Sequence, residues 1–411
     1  MKIIRRSYGL TVLLLGGLLL LGGCTAAPIR DARSAFYNQA PASAVEALSE
    51  AGEVEGRDRL LWLMEKGAIL HHAGRYEASA DALLAAARLM DQQDIVNVGQ
   101  QTASLATNDW ATEYKGEYSE RLWVHTYLMM NFLMRRRYDS ALVEAKKALK
   151  VFRDHPEPLE RAYFTRALTA LCYENLRLYN DAYIEYKKLA EALPDPAAAA
   201  PDLYRLARTL GFNDEAERYR AMIPTPDLMP SPAAAEVVVF AATGKGPVKV
   251  SGDIVVPPSI RFSFPRYLRR SSAEAVVALA GADGPLTGTL ITTDVASVAE
   301  AALSARATRL AFKETARAAL KESVARAIER KNDELVSVLA RAILFIMEEP
   351  DTRAWETLPG GLTLARFRVA PGVHRDLTIR VSGGSGTASL SIPELTVRAG
   401  QRVYYAIRAI R

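Results

Sequence analysis

Between residues 66 and 223 one short pattern returns four times: a helical stretch, a tight turn, an aromatic residue, a small residue and a second helical stretch. The turns read Gly74-Arg75-Tyr76-Glu77, Arg136-Arg137-Tyr138-Asp139, Leu178-Tyr179-Asn180-Asp181 and Gly211-Phe212-Asn213-Asp214. The small residues that follow are Ser79, Ala141, Ala182 and Ala216, spaced by 62, 41 and 34 residues. A small residue lets two helix backbones approach where they cross, and the aromatic packs in the hairpin. Prolines such as Pro156 and Pro194 end a second helix. From Ala42 to Pro224 apolar residues recur at a spacing of three to four with few β-branched clusters, which predicts helix throughout. Such a chain buries its apolar stripes only by stacking hairpin on hairpin.

The unit resembles the tetratricopeptide repeat (TPR), whose period is about 34 residues. The longer intervals imply one extended connection and an atypical stretch before Ala141. The resemblance implies a solenoid with a concave face, the usual place for protein partners. Arg137, in the run Arg135-Arg136-Arg137, together with Tyr179 and Tyr183, are candidate partner contacts on that face. The same arginine run also suits a helix C-terminus, where it complements the dipole. Cys172 lies within the helical pattern and reads as a small buried hydrophobe.

Four prolines fall in residues 224–232, and the pattern then changes period. Val237–Phe240, Val248–Val250, Ile254–Val256, Ile260–Phe264, Val276–Leu279 and Thr289–Ile291 are short β-type runs. Residues 295–348 read as one long amphipathic helix without Gly or Pro. Its Arg309, Lys313, Arg317 and Lys321 recur every four residues as a basic stripe. Lys313, Arg317 and Lys321 are further candidate partner contacts, although a solvated face interspersed with Glu314, Glu322 and Glu329 accounts for them as well. After this helix, alternating runs such as Leu364–Val369 and Leu377–Val381, with glycine turns between strands, predict a small antiparallel β-sandwich.

Charge divides at the same proline-rich boundary. Residues 24–230 hold 25 Lys and Arg against 30 Asp and Glu, whereas residues 231–411 hold 24 against 17. The small overall imbalance argues against a nucleic-acid-binding protein. A composition of 49% hydrophobic and 24% charged residues is that of a globular chain.

The N-terminus sets an address. Lys2, Arg5 and Arg6 precede an apolar run from Leu10 to Leu21, too short for a spanning helix and fitting a secretory signal. Leu21-Gly22-Gly23-Cys24 resembles the bacterial lipobox, which implies cleavage before Cys24 and acylation there (diacylglyceryl and palmitate-type chains). Two or more chains give stable anchoring to membrane lipid. Thr25 after the cysteine implies the outer membrane, on its periplasmic side, rather than the inner membrane.

The expected organisation is therefore a signal peptide (1–23), a lipid-anchored tether (24–41), TPR-like repeats (42–224) and a Pro-rich linker (225–233). Short strands (234–294), a long amphipathic helix (295–348) and a small β-sandwich (349–411) follow. The fold class is α+β: a helical solenoid, then a β-rich region.

Three motif groups carry a further resemblance: Lys66-Gly67 with Gly74-Arg75-Tyr76-Glu77; Thr107-Asn108-Asp109 with Tyr114-Lys115-Gly116, Glu120-Arg121 and His125-Thr126-Tyr127; and Asp351-Thr352-Arg353-Ala354-Trp355 with Leu358-Pro359. With them the chain is similar to an uncharacterised family of bacterial TPR-bearing lipoproteins, seen alongside curli-secretion-type and penicillin-binding-protein-activator-type lipoproteins. The resemblance implies a role in envelope assembly or secretion, with an envelope protein as partner, and supplies no catalytic residue. Asp351, Arg353 and Trp355 are candidate partner contacts. They have a structural reading too, with Asp351 and Arg353 paired across a turn and Trp355 packed nearby.

Chemistry has few footholds. His71, His72, His125, His155 and His374 lack metal-ligand spacing. Gly244-Lys245-Gly246 lacks the length and hydroxyl of a phosphate loop, and no Gly-x-Ser-x-Gly elbow occurs. The expectation is a non-enzymatic scaffold with no catalytic, cofactor or metal site. The alternative is a peptidoglycan- or glycan-binding module, or an envelope enzyme, built on the β region.

Overall fold

The computed structural model describes residues 26–38, 41–96, 113–231, 233–256, 260–282, 284–305, 350–383 and 386–410. Its N-terminal half is a TPR-like array of five helical hairpins. They pair α1 (Ala27–Asn38) with α2 (Pro41–Ala51), α3 (Arg59–His72) with α4 (Tyr76–Val96), and α5 (Tyr118–Met134) with α6 (Tyr138–Asp154). The last two pair α7 (Tyr163–Asn175) with α8 (Tyr179–Ala192) and α9 (Ala200–Leu210) with α10 (Asn213–Met222). The small residues foreseen at the crossings, Ser79, Ala141, Ala182 and Ala216, are fully buried. Between α3 and α4 the packing is tight at Gly67, where a Cβ would lie 2.5 Å from the Leu83 side chain. Ser79 Oγ donates to the Gly67 carbonyl at 2.6 Å, so a small polar residue ties the crossing shut.

The expected tether is not a tether. Directly after residue 26 the chain enters α1, and Ile29, Ala32 and Phe36 are buried in the core of the array. The apolar positions 29, 32 and 36 follow helical spacing, which is why the segment docks instead of hanging free.

The β region is one unit, not two. Strands β1 (Ala235–Thr243), β2 (Val248–Val256), β3 (Ile260–Leu268), β4 (Ala275–Gly281), β5 (Gly284–Leu286) and β6 (Gly288–Asp294) precede the 295–348 segment. Strands β7 (Gly361–Val369), β8 (Gly372–Gly383), β9 (Gly386–Val397) and β10 (Arg402–Ala409) follow it. One sheet runs β10-β1-β7-β6 and the other β5-β4-β8-β9, with β2-β3 a separate hairpin. Each four-stranded sheet thus mixes strands from the expected 234–294 and 349–411 segments. The β1–β10 pair is parallel, with Val239 opposite Tyr405, and β1–β7 is antiparallel, with Val239 opposite Ala365. The expected wholly antiparallel sandwich is corrected to this mixed arrangement.

Strand β1 explains the merger. All nine of its residues are buried. Val237, Val239 and Ala241 face Leu279, Ile379 and Val381 in the core between the sheets. Val238, Phe240 and Ala242 belong to the core of the helical array. An unbroken apolar strand needs cover on both faces, and here one face is covered by the second sheet and the other by the hairpins. Residues 295–305 are helical, as expected for the start of the amphipathic segment. The rest of that segment, with Lys313, Arg317 and Lys321, lies outside the described residues, as does Cys24.

Candidate functional site

Two polar junctions join the array to the β unit. The first is made by residues 351–358, which lie against α1, α3 and α5. Glu65, fully buried on α3, accepts from the backbone N–H groups of Glu356 (2.9 Å) and Thr357 (3.2 Å) and from the Thr357 hydroxyl. Arg33 on α1 donates to Glu65 through Nε at 2.8 Å and reaches Glu356 at 2.7 Å. Glu120 on α5 accepts from the Trp355 N–H at 2.8 Å with one oxygen and from the Glu117 N–H, also at 2.8 Å, with the other. Burial raises the Glu120 pKa above the usual carboxylate value, partly offset by Lys249. Trp355 is 1% exposed, its ring 5.6 Å from that of Tyr127. Arg353 pairs with Asp351 at 2.8 Å and with the buried Asp58 at 3.0 Å.

Asp351, Arg353 and Trp355, expected as candidate partner contacts, are therefore committed within the chain. A buried cation and an indole reach a stable state only when their polar atoms are paired: the Trp355 indole N–H donates to Thr357 at 3.2 Å, and Arg353 is shared between Asp351 and Asp58.

The second junction is ionic. Arg366 on β7 is 1% exposed and lies 3.1 Å from Glu174 on α7, 3.1 Å from Asp202 on α9 and 2.8 Å from Glu236 on β1. The Tyr186 hydroxyl accepts from Arg366 at 2.6 Å. Arg402 on β10 pairs with Glu236 at 2.6 Å and also with Glu174. Arg368 pairs with Asp202 at 3.0 Å. Burial works against the Glu174 and Glu236 charges, yet the surrounding arginines hold both pKa values below the usual carboxylate range.

Beside this network opens a cavity of about 710 Å³, the candidate site. Its walls come from the α5–α6 turn (Arg136, Tyr138), the α7–α8 turn (Arg177, Tyr179), α9 (Tyr204, Arg205, Arg208) and the strands (Arg368, Arg402). Six of its lining residues are arginines and two, Glu174 and Glu236, are acidic. Both acidic residues already face arginines, so the lining carries an excess of positive charge. Arg136, Arg177 and Arg208 are exposed and form no ion pair with the described residues.

Tyr179 is therefore at the cavity, as a candidate contact residue. Arg137 is exposed but lies outside the lining, to which its neighbour Arg136 belongs. Tyr183 is 4% exposed and bonds to Glu215, its ring 5.5 Å from Phe212, so it is a packing residue. Cys172 is fully buried and burial pushes its thiol pKa up. Neither periodicity nor motif spacing singles out Arg177, Arg205, Arg208, Arg368 and Arg402. One signal was available: Arg136 and Arg177 stand where Gly74 and Gly211 stand in the sister turns.

Among the described residues, no group of three or more His, Cys, Asp or Glu is placed to hold a metal ion. Among them, too, no helix is long and apolar enough to cross a membrane.

No family model and no curated protein matches the chain. Several solved structures are similar to its helical half. MamA from AMB-1 is 16% identical with a TM-score of 0.33, over 50% of this chain and 90% of that one. The apo form of RapI is 14% identical with a TM-score of 0.36, over 47% of this chain and 67% of that one. A Podospora anserina protein with nearly identical TPR-like repeats is 13% identical with a TM-score of 0.36, over 48% and 95%.

Proposed function

We propose that this chain is a non-enzymatic, lipid-anchored scaffold of the bacterial cell envelope that holds a protein partner on its helical array. The observation that carries the reading is how soon the folded body begins after Cys24. The Ala26 N–H donates to Asp58 at 3.2 Å, and α1 starts at the next residue. Acyl chains on Cys24 would then seat the array directly against the outer membrane, with almost no slack. Rigid seating suits a scaffold, which works by holding a partner at a set place and height.

Stacked helical hairpins present extended surfaces to other proteins. Here the β unit covers part of the array, so the partner is left the exposed helix faces and turns, among them Arg137 and the mouth of the cavity at Tyr179. The absence of any metal, phosphate-loop or nucleophile motif in the sequence supports a binding role over an enzymatic one.

The test is membrane fractionation with in-cell crosslinking of the chain and its Cys24→Ala variant. The expected result is a fatty-acid-labelled chain in the outer-membrane fraction, crosslinked to one recurrent protein, and an unlabelled variant released in folded form. An unlabelled native chain, or one with no recurrent crosslink where known envelope complexes are captured, overturns the reading.

A further inference from the structure

Four turns of the array pass through the left-handed backbone region at the same place: Gly74 (φ 75°), Arg136 (φ 57°), Arg177 (φ 59°) and Gly211 (φ 81°). Glycine adopts this conformation freely, whereas a residue with a Cβ is strained there. Closing the hairpin does not require the strain, since Gly74 and Gly211 close theirs without it. The two arginine turns are the two that line the 710 Å³ cavity, and neither glycine does. Strain kept where an unstrained residue would serve marks a side chain with a task.

The rest of the lining is consistent with one task. Arg208 adds a third cation with no ion pair among the described residues, and Arg205, deeper in, has a buried Nε without a hydrogen-bond partner there. Tyr138, Tyr179 and Tyr204 add phenol groups. The volume falls within the range of small-molecule sites, about 300–1,000 Å³. Guanidinium groups bind phosphate and carboxylate oxygens in pairs, which suits an anion with several oxygens.

We propose that this cavity binds a small molecule carrying two or more oxyanion groups, phosphate or carboxylate, gripped by Arg136 and Arg177 from the turns and by Arg208 from α9. The site goes beyond the scaffold reading and does not depend on it.

The experiment is calorimetric titration of the full chain with pyrophosphate and with citrate, against acetate at matched ionic strength. The two polyanions separate a phosphate site from a carboxylate site. At least one is expected to bind and raise the melting temperature, while acetate does neither. Replacing both strained residues (Arg136→Gly with Arg177→Gly) is expected to leave the melting temperature equal or higher, yet weaken binding by about a hundredfold, about tenfold for each charge-assisted contact. Arg208→Ala, at an unstrained helix position, is expected to weaken binding about tenfold. Arg375→Ala, on β8 outside the lining, is expected to leave it unchanged. Polyanions that bind no better than acetate overturn the proposal. So do glycine variants that lose stability and keep their affinity, because the arginines would then serve only the helix ends.

Discussion

Glu65 and Thr357 are joined twice, through the Thr357 backbone N–H and its hydroxyl, although 292 residues separate them in the chain. With Arg33 and the Glu356 N–H on the same carboxylate, Glu65 is the post to which the 351–358 segment is tied. The β unit is held to the first hairpins by this buried acid together with the Arg353–Asp58 pair and the buried Trp355.

Removing the acid strands its donors. Glu65→Ala leaves the Nε of the buried Arg33, two backbone N–H groups and a hydroxyl without this acceptor, although Arg33 keeps Glu356 and the Ala354 carbonyl. Loss of one partner of a buried pair costs about 3–5 kcal/mol, which urea denaturation of the variant is expected to show. Glu65→Gln keeps an acceptor oxygen and is expected to lose less.

Trp355 is the apolar part of the same junction. It is 1% exposed, and large aromatic-to-Ala changes in cores cost about 3–5 kcal/mol. Trp355→Ala is expected to reach that range in the same denaturation series and to speed protease cleavage within residues 350–360. A cleavage rate equal to that of the native chain would show that the segment is not held by its indole.

At the α3–α4 crossing, Gly67→Ala puts a methyl group 2.5 Å from the branched end of Leu83. The helices must separate, at about 1–3 kcal/mol for an overpacked site. This outweighs the gain of about 1 kcal/mol that Ala brings over Gly in a helix. The variant is expected to melt lower, and in a Leu83→Ala background, where the clash is gone, Gly67→Ala is expected to cost less than in the native chain.

Acid acts on the folded chain through its buried histidines before the depressed carboxylates Glu174 and Glu236 titrate. Burial lowers the His71 pKa from 6.5 to about 4, and the buried His72 is lowered as well. Between these values the unfolded chain binds the proton and the folded chain does not, so stability is full above pH 6.5 and falls as pH drops toward 4. For His71 the loss is about 3 kcal/mol, at about 1.4 kcal/mol per pKa unit. The depressed carboxylates Glu174 and Glu236 add a further loss below pH 4.5, in the same direction. Glu120 and Glu356, whose pKa values burial raises, oppose this trend above pH 4.5. Urea denaturation at half-unit pH steps is expected to show the slope between 6.5 and 4, and His71→Gln to flatten it.

Cys172 is fully buried with its thiol pKa pushed up by burial. A thiol reagent is expected to label it in guanidinium within seconds, and in the native state only at the rate of unfolding. Rapid native labelling would contradict its place in the core.

Most of the helical half was legible because its signals are local. Aromatic and small residues mark each turn and crossing, and Ser79, Ala141, Ala182 and Ala216 are buried where the pattern puts them. Helix α1 is not marked as a docked element in the sequence, because its partners, Asp58, Glu65 and Glu356, are distant in sequence and its short pattern follows an export signal. The candidate site was scarcely legible. Its arginines come from two turns, one helix and two strands, and no spacing joins Arg136 to Arg402.

What the sequence determined by itself is that residues 42–224 are largely helical, that short strands follow, and that the period changes near residues 224–232. Those properties depend on side chains a few positions apart, within reach of one helical turn or one pleat. Only the tertiary structure decided that β1 lies between β7 and β10, that 351–358 ties back to α3, and that an arginine-lined cavity opens where turns and strands meet. A pairing or a cavity depends on which distant surfaces exclude water together, and periodicity along the chain does not encode that.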